Sequence, residues 1–588
     1  MRAVRGPSYR PRRHLFVLAL LLAAFLAVTA RLAHIHIIEG PAYAAMAREQ
    51  RDLDLTIPAQ RGSIYDREGK PLAVTTAAKT VYAVPREVVD KKAAARALAA
   101  ALGGAEDKYL AKLEKKTNFV YLARKVPVEQ AEALRSLGLA GVYFLDDTRR
   151  VYPSSNLACQ LLGFVGLDGD GLSGIEKQYD ELLAGSPGRL ICEKGLSGVP
   201  IPGGVTVREE PVDGQNVVLT LDADIQYQAQ TVLADTVKQW KAKSGSVVVM
   251  DAKTGALLAV ASVPDFDPNR FWEADAQAHR CRPITDRYEP GSTIKAITAG
   301  GAIEQGLARP DTTFRLPPTF KIGGRTIHEA HPRGTVDWTL TQIVTNSSNV
   351  GAVKIGLLLG PEMMYRYLEK FGLTERSEVD FPGEAAPSVP RPRDWSATSI
   401  GNIPFGQGLA VTPLQLARAM AAIGNGGYLV TPHLLQELPD SPSEKLEWPR
   451  RPALSPQAAA TTTEMLKAVV TEGTGKGAAV PGYTVAGKTG TAQKPRTDGI
   501  RGYAKGKYVA SFSGFLPAED PAVVIVVTVD EPSGAIFGGT VAAPAFSKIG
   551  EFCMRHLGIP PRAPSSAVGA PAATGSATET ASSQGASR

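Results

Sequence analysis

Cysteine and histidine are scarce. The 588-residue chain holds four cysteines, Cys159, Cys192, Cys281 and Cys553, and eight histidines. Four cysteines are too few for a disulfide framework, and their spacing fits no metal-ligand pattern. A bridge between Cys159 and Cys192 and four unpaired thiols both remain open in an oxidising compartment. His328 and His331 form a close pair whose setting predicts a loop rather than a metal site. A phosphate-cradling loop is also lacking, because Gly473-Thr474-Gly475-Lys476-Gly477 has neither the Walker spacing nor the following Ser or Thr. No cofactor and no metal are therefore expected. Aromatic residues make up only 7% of the chain, and no aromatic-plus-basic motif accompanies the pI of ≈ 9.0, which argues against nucleic acid as a partner.

What is present is enough for several cores. With 44% hydrophobic and 21% charged residues and a net charge of +7, the length predicts two or three domains. Arg2, Arg5, Arg10, Arg12 and Arg13 precede an uncharged apolar run, Leu15 to Ala30, which continues past Arg31 to Ile38. The positive-inside rule keeps residues 1–14 cytoplasmic and sends the rest across a membrane. The expected anchor is 15–38. Val28-Thr29-Ala30 also fits a signal-peptide cleavage site, and both readings place the remainder outside the cytoplasm.

Three short strings carry the chemistry: Ser292-Thr293-Ile294-Lys295, Ser347-Ser348-Asn349 and Lys488-Thr489-Gly490-Thr491. On a helix the Ser-x-x-Lys offset puts both side chains on one face, so the Lys295 amine can lie against the Ser292 hydroxyl. A lysine that is desolvated, or set near a second cation such as Lys488, loses its proton readily and becomes a general base. Glu289-Pro290-Gly291 breaks what precedes and Ser292 opens a helical run to Ile303, so free N-H groups of a helix start face the nucleophile. Ser347 offers a proton relay and Asn349 a carboxamide for a substrate amide. The third string reads as a β-strand whose edge can pair with an extended substrate. A second Lys-Thr-Gly, Lys253-Thr254-Gly255, lies between the strand-like runs Val247 to Met250 and Leu257 to Ala261, and is predicted to be a hairpin turn.

Taken in this order, the three strings resemble the class B penicillin-binding proteins, the serine transpeptidases that cross-link peptidoglycan. The resemblance extends to Tyr288-Glu289-Pro290-Gly291-Ser292, to the run from Phe405-Gly406-Gln407-Gly408 to Gln415, and to Tyr508-Val509-Ala510-Ser511-Phe512. Arg61-Gly62-Ser63-Ile64-Tyr65-Asp66-Arg67-Glu68-Gly69, Arg149-Arg150-Val151-Tyr152-Pro153 and Gly174-Ile175-Glu176-Lys177 resemble signatures of the family's non-catalytic pedestal.

The architecture this implies is multidomain: a transmembrane helix, an irregular α+β pedestal at 40–210, and an α+β penicillin-binding transpeptidase domain at 213–557 with an antiparallel sheet. The Pro/Gly-rich stretch Gly198 to Gly204 marks the passage between the two, and 560–588 reads as a disordered tail.

By resemblance, Ser292, Lys295, Ser347 and Lys488 are catalytic, Asn349, Thr489, Gly490 and Thr491 bind substrate, and the Ser292 and Thr491 N-H groups form the oxyanion hole. The implied partners are D-Ala-D-Ala stem peptides with an amine acceptor, β-lactams, and a polytopic glycosyltransferase with other divisome proteins at the inner membrane. Ser347-Ser348-Asn349 and the string from Arg149 through Gly163-Phe164-Val165-Gly166 to Lys177 resemble the septal branch. Elongation or sporulation enzymes, a carboxypeptidase or β-lactamase, and a non-enzymatic β-lactam sensor are the alternatives. A carboxylate free to activate water would favour the hydrolases, and none stands out. The residues before Leu15 are too few for the signalling domain a sensor needs.

Overall fold

A valine-rich segment such as Val523 to Val529 is apolar on both faces, so its stable place is the middle of a sheet covered on both sides. The chain builds that arrangement around the strand Val523–Asp530. A computed structural model describes residues 11–194, 200–442, 446–496, 498, 500 and 502–561. The tail expected at 560–588 thus falls almost wholly outside the described residues, as does most of the cytoplasmic segment. Two compact units form, one from residues up to 62 with 75–149 and 181–215, the other from 63–74, 150–180 and 216 onward. The pedestal is expected at 40–210 and the transpeptidase domain at 213–557, whereas the second unit takes in 63–74 and 150–180 before its continuous run from residue 216.

In the first unit, Pro11–Ala33 is an apolar helix that continues through a π-helical stretch, His34–Glu39, into Gly40–Arg51. The helix over residues 12–47 is long enough to span a membrane and contains an 18-residue window with a mean hydropathy of 2.5. Beyond it, Asp52–Ile57, Gly188–Lys194 and Pro200–Glu209 form a three-stranded sheet. The Pro/Gly stretch expected as a linker is therefore in part a strand, because pairing such as Cys192 with Val205 outweighs its poor β-propensity. A separate small core gathers Val81, Leu98, Leu113, Leu122 and Leu134. Asp90 caps the alanine-rich helix Lys91–Leu102 by accepting from the Ala93 N-H at 2.9 Å.

A five-stranded sheet in the second unit comprises β1 (Ser244–Asp251), β2 (Leu257–Val263), β3 (Ala486–Pro495), β4 (Tyr503–Leu516) and β5 (Val523–Asp530). They are all antiparallel in the order β2-β1-β5-β4-β3, which leaves β3 at an edge. Helices α1 (Ala223–Gln239) and α4 (Ala543–His556) cover one face through Ile225, Leu233, Phe546 and Ile549, packed on Val247, Val249, Ile525 and Val527. Each such burial contributes about 1.5–3 kcal/mol. Against β3 lie the helix Pro456–Thr471 and the turn Gly291–Thr293, which leads into helix α2 (Ile294–Glu304), buried along nearly its whole length.

Lys253-Thr254-Gly255 is the β1–β2 turn, as expected. Asp251 accepts from the Lys253 and Thr254 N-H groups at 2.9 and 2.8 Å, and Gly255 has φ +87°. The strings around Arg150 and Glu176 fold within this unit as one buried ion pair, at 2.7 Å with 4% and 0% of the side chains exposed. The Tyr152 hydroxyl also donates to Glu176, at 3.1 Å. Cys159, Cys281 and Cys553 are buried and unbridged, so the Cys159–Cys192 disulfide is not formed.

Candidate active site

Ser292 sits in a single 3-10 turn, Gly291–Thr293, immediately ahead of α2. Two contacts fix that turn: the Gly291 N-H donates to Gly406 O at 3.0 Å, and the Thr293 hydroxyl to Pro290 O at 2.9 Å. Gly291 adopts φ +59°, a conformation that disfavours any side chain. One turn further on, Lys295 is 2% exposed. Its amine donates to Ser347 O at 2.5 Å, Asn349 Oδ1 at 2.8 Å and Ser347 Oγ at 3.3 Å. No hydrogen bond joins it to Ser292 among the described residues. The sequence placed the amine against the Ser292 hydroxyl, but three acceptors from the second motif satisfy it in the free protein. Catalytic contacts of this kind commonly tighten only once substrate binds.

The second motif is held in a strained turn between the helix Leu340–Thr345 and helix α3 (Asn349–Lys370). Ser347 takes φ +58°, left-handed for a residue with a side chain, at a cost of about 1–3 kcal/mol. That twist points both its carbonyl and its hydroxyl at Lys295. Ser348 caps α3 by accepting from the Gly351 N-H at 2.9 Å.

Lys488, on β3, is fully buried and donates to Ser347 Oγ at 2.9 Å. The Ser347 hydroxyl thus lies between two lysines. Burial lowers the Lys295 pKa to about 7, with Glu329 opposing the shift. Burial also pulls Lys488 well below the ordinary lysine value, and there the charge of Lys295 adds to the effect. Desolvation, rather than Lys488 as a second cation, is what lowers Lys295.

Thr489 shares a 2.8 Å hydroxyl contact with Thr474, and Thr491 Oγ1 accepts from the Gly538 N-H at 3.2 Å. Gly490 admits no side chain, since a Cβ there would lie 2.2 Å from Ser511 Oγ and 2.9 Å from Pro290 O. A Cβ on Gly291 would stand 3.2 Å from the Thr491 carbonyl, so β3 runs directly over the Ser292 turn. Six of the eight expected residues, Lys295, Ser347, Asn349, Lys488, Thr489 and Thr491, are tied into hydrogen bonds here. Ser292 and Gly490 are set by backbone packing.

Glu329 was not foreseen. It follows His328, the residue noted only as half of a loop pair, and that histidine was the one local signal. Glu329 accepts from Ser348 Oγ at 2.6 Å and from the Asn349 N-H at 2.8 Å. It also pairs with Arg333, the two side chains being 6% and 14% exposed. Asn349 Nδ2 completes the tie by donating to His328 O at 2.9 Å. With Glu329→Gln the Arg333 guanidinium loses its buried partner, so thermal unfolding should register a loss of about 3 kcal/mol. The same change removes the charge that holds the Lys295 pKa up, so the acid limb of acylation against pH should move to lower pH. An unmoved limb would show that Glu329 does not act on Lys295.

This frame of antiparallel sheet and buried helix, bringing Ser-x-x-Lys, Ser-x-Asn and Lys-Thr-Gly together, defines the class of penicillin-recognising transpeptidase domains. Residues 245–551 match the penicillin binding protein transpeptidase domain, and residues 56–219 the penicillin-binding protein dimerisation domain. Stage V sporulation protein D of Bacillus subtilis is 34% identical over 562 residues, covering 94% of this chain and 86% of that protein. Peptidoglycan D,D-transpeptidase FtsI of Escherichia coli is 34% identical, covering 86% and 85%. Penicillin binding protein 3 of Mycobacterium tuberculosis, in its crystal structure with ampicillin, superposes with a TM-score of 0.69 at 32% identity, covering 87% of this chain and 98% of that one. The chain belongs to the class B penicillin-binding proteins, the family of peptidoglycan D,D-transpeptidases.

Proposed function

We propose that the protein is a membrane-anchored serine transpeptidase that cross-links peptidoglycan stem peptides through an acyl-enzyme, during septal wall synthesis. The observation that carries this reading is the buried Lys295–Ser347–Lys488 hydrogen-bonded chain beside the Ser292 turn. Lys295, unprotonated in part at neutral pH, takes the proton of Ser292. The freed oxygen attacks the carbonyl of the penultimate D-Ala of a stem ending in D-Ala-D-Ala. The Ser292 and Thr491 N-H groups receive the developing oxyanion, each worth about 3 kcal/mol in comparable acyl transfers. Ser347 hands a proton to the departing D-Ala, and Lys488 tunes that relay. Asn349 holds the peptide amide, while Thr489, Gly490 and Thr491 bind the terminal carboxylate and the extended backbone. An amine from a neighbouring strand then resolves the ester. A β-lactam imitates the donor and acylates Ser292, which accords with the ampicillin-bound relative.

Water as the acceptor is the competing chemistry. Glu329 is not free to activate it, because both its oxygens are occupied by Ser348, Asn349 and Arg333. Arg12 and Arg13 at the start of the apolar helix support a cytoplasmic N-terminus, an inner-membrane anchor and an extracytoplasmic catalytic unit. A polytopic glycosyltransferase and other divisome proteins are the partners this reading carries. The septal role rests on the resemblance of the Ser347-Ser348-Asn349 and Arg149 to Lys177 strings. The 34% identity to a sporulation protein supports a sporulation role as the second reading. Locating a fluorescently tagged copy in dividing cells tests this. A mid-cell band is expected, and a side-wall distribution would overturn the septal assignment.

A further inference from the structure

A cavity of ≈ 180 Å³ lies under the far end of β3, with Arg282, Asp286, Tyr288, Glu289, Lys494 and Asp530 in its wall. Two of these three acids already have cations. Asp286 pairs with Arg280 and Arg282 at 2.6 and 2.9 Å, and Asp530 with Lys494 at 2.7 Å. Glu289 has none among the described residues. Its oxygens accept only from the Gly408 N-H at 3.1 Å and the Tyr503 hydroxyl at 3.0 Å, both neutral donors. Burial pushes its pKa up, and Arg325 offsets this only from a distance. In the same wall the buried Tyr288 hydroxyl, which faces Ser511, makes no hydrogen bond of normal geometry. A half-buried carboxylate served by neutral donors is poised for a cation that arrives with the ligand.

The position suits such a ligand. Glu289 precedes Ser292 by three residues, and Tyr503 pairs with Pro495 at the end of β3. A donor with its carboxylate at Thr489 and Thr491 and its scissile carbonyl at the Thr491 N-H continues along β3 towards Gln493 and Pro495. At roughly 3.3 Å per residue, the residue before D-Ala-D-Ala then comes beside Glu289. We propose that Glu289 is a specificity-determining residue that takes the ammonium group of a stem peptide whose residue before D-Ala-D-Ala is a diamino acid. The inference rests on the transpeptidase reading above. The ammonium belongs either to the donor or to the acceptor.

The test uses the detergent-solubilised full chain and pentapeptide donors carrying lysine or Nε-acetyl-lysine before D-Ala-D-Ala, with D-Ala release and acyl-enzyme mass as readouts. If the donor supplies the cation, the free-amine peptide acylates about tenfold faster, Glu289→Gln brings the two rates within twofold, and Glu289→Asp restores part of the difference. If the acceptor supplies it, donor rates match, and Glu289→Gln raises the KM for a free-amine acceptor peptide about tenfold. Unchanged donor ratio and acceptor KM overturn the proposal. So does an equal fall in acylation by both peptides and by benzylpenicillin, which marks a structural role, or a selective fall in hydrolysis of the acyl-enzyme, which makes Glu289 a base for water. If penicillin acylates the unaltered protein but neither peptide does, the transpeptidase reading itself fails.

Discussion

Ser292→Ala should abolish covalent labelling by a fluorescent penicillin, a loss on the order of 10⁶-fold by analogy with other serine acyl enzymes stripped of their nucleophile. The substitution is structurally mild. The Ser292 hydroxyl makes no hydrogen bond among the described residues, and its turn is held by Gly291, Thr293 and Gly406 through backbone and neighbouring contacts. Melting temperature should therefore stay close to that of the unaltered protein, which separates loss of chemistry from loss of fold. The gel readout is direct: a labelled band that survives in the alanine protein places the acylated residue elsewhere and defeats the assigned mechanism.

The second large effect concerns Lys295 and pH. Its pKa is lowered to about 7, chiefly by burial, with Glu329 acting the other way. The base is the unprotonated amine, so the second-order rate constant for penicillin acylation should climb about tenfold per unit below pH 7 and level off above it. Lys295→Arg preserves a cation of similar length that cannot give up its proton. Acylation should fall about 10²- to 10⁴-fold, and the limb near pH 7 should disappear. A variant that kept the limb would show that another group is the base. Lys488 is the obvious rival, and its own proton affinity is lowered by the same burial and by the charge of Lys295.

Much of this site was legible in the order of residues because the chemistry recurs as local strings. Ser-x-x-Lys needs one helical turn, and Pro290 and Gly291 announce where that turn begins. The hairpin at Lys253 was separable from the strand at Lys488 because valine-rich runs flank it closely. What stayed hidden depends on contacts distant along the chain. Glu329 reaches Ser348 and Asn349 across some twenty positions, and no periodicity marks a carboxylate destined to cap someone else's helix. Ser347's left-handed backbone was equally invisible, since serine gives no hint of positive φ. The lean of Lys295 towards Ser347 follows from that twist. Gly198 to Gly204 looked like a break because its composition is poor for a strand, yet from Pro200 on the partner at Gly188 to Lys194 recruits it into the strand Pro200–Glu209. Arg150 and Glu176 were visible as two separate signatures, and only the fold shows that they are the halves of one buried pair.

The open edge of β3 has a consequence for how inhibitors would fail. In the proposed mode the sixth strand of the sheet is a guest, present only while an acyl group is in transit, and the wall polymer becomes for that interval a piece of the protein's own architecture. Such a guest is gripped by main-chain N-H and C=O groups, which no substitution short of proline can delete. Weakening the grip on a drug would therefore mean tilting the strand, through changes at buried packing positions such as Phe512 that never touch the drug. Because a shift of about 1 Å at a reacting centre can cost 10²-fold in rate, and because drug and substrate share the same edge, each such escape should slow wall synthesis as well.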